Sequence, residues 1–230
     1  MPITYLHNQV CTELEKNILP FWQHIACDND FGGYIGHMNL AGVIDHKADK
    51  SAIFTARILW AFSAAYQQLK NAKYLEQAHS AYCFFIEHFM DKDSKGVYQT
   101  LAYNRSIIND EKNIVAQAYA IYALSAYGKA SGNEHAVNQA YDIFELIEAN
   151  AYDKNSGSYS VLCTRQWQSV DNKECYRYTQ VHLHLIEAYS ELLSCQYNEV
   201  LALSLTALVE LFISFMIDKN NHHIWSKVLA

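Results

Sequence analysis

Arg57, Tyr119 and His184 stand at the same place in three copies of one motif. Residues 56–63, 118–125 and 183–190 superpose in their small and apolar phases, at offsets of 62 and then 65 residues. Different chemistry at an equivalent position of a shared scaffold marks where a site is expected. Histidine has an ordinary pKa close to neutral pH and therefore exchanges protons there. Arginine inside an apolar stretch demands a polar or anionic partner. Glu187 can serve either residue: as a repeat neighbour it can pair with Arg57, and its i, i+3 spacing to His184 lets it orient that ring. His184 itself is open to two readings, a helix histidine held by one hydrogen bond or a proton-transfer group. His182, two residues away, is about 200° round a helix and faces elsewhere, so the two histidines make no metal pair.

The elements that must position these residues follow from the same repeat. Helical periodicity recurs over 8–26, 48–69, 72–90, 112–130, 134–151, 178–195 and 197–217, about seven helices. Between successive pairs lie Gly-aromatic segments at 31–36, 95–98 and 156–161, each followed by short alternating apolar residues that suit a small hairpin. Residues 220–226 open a further one. The unit is helix, helix, hairpin, which predicts a helical solenoid or an α/α toroid whose inner helices aim their N-terminal ends at a common mouth. With 17 Tyr, 10 Phe and 4 Trp, many rings fall near the hairpins and inner-helix starts, either stacking on sugar faces or filling core.

Composition narrows the function classes. A net charge of −7 with 17 scattered Lys and Arg argues against nucleic acid or an anionic membrane as partner. The six cysteines show no CxxC pair and read as reduced thiols of an intracellular protein, so a cytoplasmic location is expected. His7, Asn8, Gln9, Glu13 and Lys16 interrupt any signal-peptide core. The apolar run 201–217 carries Ser204, Thr206, Glu210 and Ser214 at helical spacing and is expected to form a buried amphipathic helix rather than a membrane span. Asp28, Asp30, Asp45 and Asp49 read as surface carboxylates flanking a hairpin. His222 and His223 read as a solvated turn. There is no phosphate loop, nucleophile elbow or zinc motif, and neither cofactor nor metal is expected.

The blocks Glu15-Lys16-Asn17-Ile18-Leu19-Pro20-Phe21-Trp22 and Asp30-Phe31-Gly32-Gly33-Tyr34-Ile35-Gly36 are followed by Ala48-Asp49-Lys50 and by Arg57 through Ser63. Arg165-Gln166-Trp167 and His182 through Tyr189 come after them in order. Together these resemble the N-acylglucosamine 2-epimerase family, most closely its cellobiose 2-epimerase branch. The resemblance implies an all-α (α/α)6 toroid, of which this chain is about the first half: one domain over 1–230, lacking its C-terminal half, with short β-hairpins on one side. It implies C2 epimerisation of a reducing-end sugar through an enediolate. His184 would be an acid/base and Arg57 would sit by the carbonyl or enediolate oxygens. Tyr98, Tyr119, Trp60, Glu187 and Gln180 are the expected substrate-binding side chains.

Departures from the family pattern are also present. Val161 replaces a pocket glutamate, Gln99 stands where a Trp follows Gly-Val-Tyr, Val115 where a Tyr is common, and Gln180 where an Asn is usual. The family's other catalytic histidines belong to the second half. Three functions therefore stay open: a sugar 2-epimerase, a non-catalytic half-barrel for carbohydrate or protein interaction, and a glycosidase or lyase, for which no carboxylate pair stands out. The expected partners are a small-molecule sugar and either a complementary half or a second copy of the chain.

Overall fold

The computed structural model describes residues 3–170 and 176–229. Its helices are α1 (Ile3–Glu13), α2 (Ala52–Leu69), α3 (Ala72–Phe84), α4 (Ile114–Ser131), α5 (Glu134–Asn150), α6 (Thr179–Leu193) and α7 (Glu199–Leu211). Their starts follow from the residues just before them. Ser51, Asn71, Asn113, Asn133 and Asn198 each accept a first-turn backbone N–H on the side chain. Such a cap contributes about 1 kcal/mol. At the far ends of α2 and α4, Lys70 and Gly132 turn left-handed, with φ of 55° and 74°, and the chain reverses into the next outer helix.

Helices α2, α4 and α6 lie side by side as an inner layer, and α3, α5 and α7 back them. The middle helix α4 packs against α2, α3, α5 and α6, which explains its sequence: Ala, Ser and Gly on almost every side, so that neighbours approach closely. At Gly128 a Cβ would come within 2.4 Å of Val137 Cγ2 on α5, so any larger residue there separates the two helices. Helix α3 runs into a wider π-helical turn at Phe85–Phe89, and α7 into an equivalent one at Phe212–Met216.

The expected hairpins are present, and they do more than close each unit. Lys50–Ser51 pairs with Thr100–Leu101, Lys112–Asn113 with Leu162–Cys163, and Tyr176–Tyr178 with Lys227–Leu229. The strand entering each inner helix is thus held by the hairpin of the following unit. Beneath it runs a second repeat. Asp28, Asp91 and Asp218 each accept two backbone N–H groups from residues two and three further on, and Asp153 accepts one from Asn155. Asp28 is therefore not the surface carboxylate that its local sequence suggests. It is buried and paired with Lys50, as Asp91 is with Lys112 at 2.8 Å. The partners lie 22 and 21 residues apart, too far for local spacing to reveal.

The two edges of the layer are bare. No residue of α1 is buried. The run 201–217 forms a helix as expected, but not a buried one: 22% of Glu199–Met216 is buried, and Val200, Leu203, Ile213 and Phe215 face outward. The inner side of α7 packs on α6 and nothing among the described residues covers the outer side. With mean hydropathy 1.9, this is also the one described helical stretch long and apolar enough to cross a membrane. Apolar faces of this extent drive association. The purified chain is expected to sediment as a species heavier than its 26.4 kDa, and Ile213→Ser with Phe215→Ser to shift it toward the monomer. A compact monomer of the unaltered chain would contradict this.

Candidate active site

Arg57, Tyr119 and His184 are each the sixth residue of their helices α2, α4 and α6. Because the three helices lie side by side in register, the three side chains meet. An Arg57 Nη donates to the Tyr119 hydroxyl at 2.6 Å, and the guanidinium lies 4.9 Å from the centre of the same ring. The other side of Tyr119 meets His184, with ring centres 4.8 Å apart. Glu187 then takes the far side of His184, its carboxylate 2.8 Å from Nδ1. Of the two roles open to Glu187, orienting His184 is the one realised.

The line of contacts assigns protons. An ionised carboxylate only accepts, so Nδ1 of a neutral His184 carries the hydrogen and Nε2 is left as the basic nitrogen. Arginine only donates, so the Tyr119 oxygen accepts from it and its own O–H remains available to a ligand.

One helical turn further along, the repeat produces a second row. Trp60 and Tyr122 stack with ring centres 5.3 Å apart and planes within 17°. Tyr122 lines a small cleft with Ala118, Tyr119, His184 and Glu187. Burial, followed by the nearby Glu191 and Glu187 carboxylates, pushes the Tyr122 hydroxyl above its ordinary pKa, so it stays protonated and can donate. Tyr122 was missed by the sequence reading, although it lies 62 residues after Trp60 and 65 before Glu187, the offsets of the first row. Beside the cleft, Arg57 and Trp60 also line a groove of about 540 Å³ between α2 and the segment 14–22 that follows α1, walled by Leu14, Trp22 and Phe54.

The remaining expected side chains lie elsewhere. Gln180 is exposed on α6, one turn before His184. Tyr98 is buried under a charged group at the hairpin end, where Arg165 donates to its hydroxyl at 3.2 Å and the Lys112 ammonium lies 5.1 Å from its ring centre. Val115 is buried, and the Val161 carbonyl accepts the Ile114 N–H at the start of α4. His182 faces away from His184, as its spacing predicts. It is buried, with Nδ1 2.8 Å from the Tyr178 carbonyl, and burial lowers its pKa and keeps it neutral.

Residues 33–227 match the N-acylglucosamine 2-epimerase family. The chain belongs to that family. It is 32% identical over 226 residues to a cellobiose 2-epimerase of Bacteroides fragilis, covering 95% of this chain and 58% of that protein. To a cellobiose 2-epimerase of Ruminococcus albus it is 36% identical over 202 residues, 85% of this chain and 51% of that one. The solved structure of cellobiose 2-epimerase from Bacillus thermoamylovorans superposes with a TM-score of 0.90 at 34% identity, over 94% of this chain and 57% of that one. The helix pairs are those of the (α/α)6 toroid, and the chain spans somewhat more than half the length of the relatives it matches.

Proposed function

We propose that this chain supplies one wall of a site that epimerises C2 of a reducing-end sugar, a disaccharide such as cellobiose being the substrate favoured by its relatives. The observation that carries the reading is the unbroken line of contacts from Arg57 through Tyr119 and His184 to Glu187 across three inner helices. In the open-chain sugar the C1 carbonyl acidifies the hydrogen on C2. His184 Nε2 takes that proton, and Glu187 stabilises the imidazolium that forms. The negative charge that moves onto the carbonyl oxygen meets the Arg57 guanidinium and the Tyr119 hydroxyl, whose dipoles are already in place. The stacked faces of Trp60 and Tyr122 offer an apolar platform for the sugar ring.

Inversion at carbon needs proton transfer on both faces of the enediolate, and the cleft described here is lined by one histidine. By itself the chain is therefore expected to bind sugar and to work on one face. A second reading, a half-ring that binds sugar or protein without catalysis, is favoured by the apolar groove open beside Arg57 and Trp60. Titration of the chain with cellobiose, followed by saturation-transfer NMR, tests the shared premise. Binding is expected, weakened by about 10-fold or more in Arg57→Ala, since a hydrogen bond to a charged group contributes about 1.5–3 kcal/mol. Absence of any sugar contact would leave the interaction reading alone.

A further inference from the structure

On the opposite side of the α2–α4 pair, a cysteine, a histidine and a tyrosine form a chain that the proposed epimerase site does not use. His79 and Cys83 lie one turn apart on α3, both exposed, with Sγ 3.5 Å from His79 Nε2. His79 Nδ1 is 2.7 Å from the hydroxyl of Tyr127 on α4. Tyr127 is itself fixed, its ring stacked on Tyr82 with centres 4.5 Å apart and planes within 18°. The imidazole lies within 28° and 29° of those two planes. Nucleophile, base and orienting hydroxyl thus follow one another at bonding distance, with the base held by packing.

We propose that Cys83 is a nucleophilic thiol activated by His79 and positioned by Tyr127, and that it forms mixed disulfides with low-molecular-weight disulfides. The Cys83 proton passes to His79 Nε2. The thiolate attacks one sulfur of the small disulfide, forming the Cys83 S–S bond and breaking the original one, and the departing thiolate takes the proton back from His79. Cys83 is oxidised and the small molecule reduced, with no other reagent required.

Three of the other described thiols make internal controls. Cys27 donates to the Gln23 carbonyl, and burial raises its pKa. Cys195 donates to the Ser125 carbonyl and is likewise raised by burial. Cys11 also has a histidine one turn away, its sulfur 3.7 and 3.9 Å from the two ring nitrogens of His7, but no hydroxyl or ring among the described residues holds that imidazole as Tyr127 and Tyr82 hold His79.

The test uses the whole native chain and hydroxyethyl disulfide at pH 7, with acid quenching and site-resolved mass spectrometry. Cys83 is expected to be modified at least about 10-fold faster than Cys11, as a positioned base contributes about 10²–10⁴-fold in favourable cases. In urea the two rates should converge. His79→Gln, on an exposed position, should remove the native advantage while Cys11 is unchanged, and Tyr127→Phe should lower it in part. Equal native rates for Cys83 and Cys11 in the unaltered chain would overturn the proposal, as would a Cys83 rate that His79→Gln leaves unchanged.

Discussion

In heavy water the chain is expected to place deuterium on C2 of cellobiose without accumulating the C2 epimer, and His184→Ala is expected to reduce that uptake by about 10²-fold or more. Exchange needs one base, and inversion needs two groups on opposite faces. Removing His184 takes away Nε2, the basic nitrogen that the Nδ1 contact with Glu187 leaves free. Glu187→Gln keeps an oxygen to accept from Nδ1 but loses the charge that steadies the imidazolium, so a smaller loss, about 10-fold, is expected. Proton NMR of the C2 signal and chromatography of the epimer read both quantities in one sample. Robust epimer formation by the chain alone, lost in His184→Ala, would show that a second proton-transfer group is present and that counting one histidine was wrong. Sugar binding with no uptake would favour the non-catalytic reading.

The repeat made the meeting of three side chains legible from the sequence alone. Equivalent positions 62 and 65 residues apart must share a phase on equivalent helices, so the meeting of Arg57, Tyr119 and His184 follows once those helices lie side by side. Glu187 was legible for a local reason, its i, i+3 spacing. The same arithmetic, one turn along, reaches Tyr122, which lies 62 residues after Trp60 and 65 before Glu187, whereas by its local sequence a tyrosine in an Ala-rich helix reads as core.

What the sequence hid are the long-range charge pairs. Asp91 meets Lys112 and Arg165 from 21 and 74 residues away, and charged residues near turns read by default as solvated. Tyr98 illustrates the consequence: its ring, expected at the sugar, is enclosed by that cluster. Nor can periodicity tell a buried apolar stripe from an uncovered one, which is why α7 looked like core.

Replacing Asp91 is expected to cause the largest loss of stability in the molecule. Its side chain and that of Lys112 are both fully buried, with 0% exposure each, and Arg165 adds two further hydrogen bonds, at 2.9 and 3.0 Å. Asp91→Asn leaves the Lys112 ammonium buried with no carboxylate, a change that costs about 3–5 kcal/mol out of a typical total of about 5–15 kcal/mol. Arg165 is less affected, because it reaches solvent and retains Asp93 at 3.0 Å. Lys112→Met in the Asp91→Asn background removes the stranded charge and should recover part of the loss, whereas additive damage would refute the buried-charge account.

The same pair predicts an acid response. Burial alone would raise the Asp91 carboxyl, but hydrogen bonds from Arg165, Lys112 and the Ser94 N–H overcome it and hold its pKa well below the ordinary 3.8. Asp28 shifts in the same direction: burial opposes the shift, and Lys50 and the Phe31 N–H produce it. A carboxyl depressed in the folded state stabilises fully above its unfolded pKa, and that stabilisation is lost as pH falls toward the folded value. Thermal melts should therefore hold steady down to about pH 5 and fall steeply below about pH 4. In Asp91→Asn the melting temperature should start lower and fall less steeply over that range. An acid limb as steep as that of the unaltered chain would place the responsible carboxylates elsewhere.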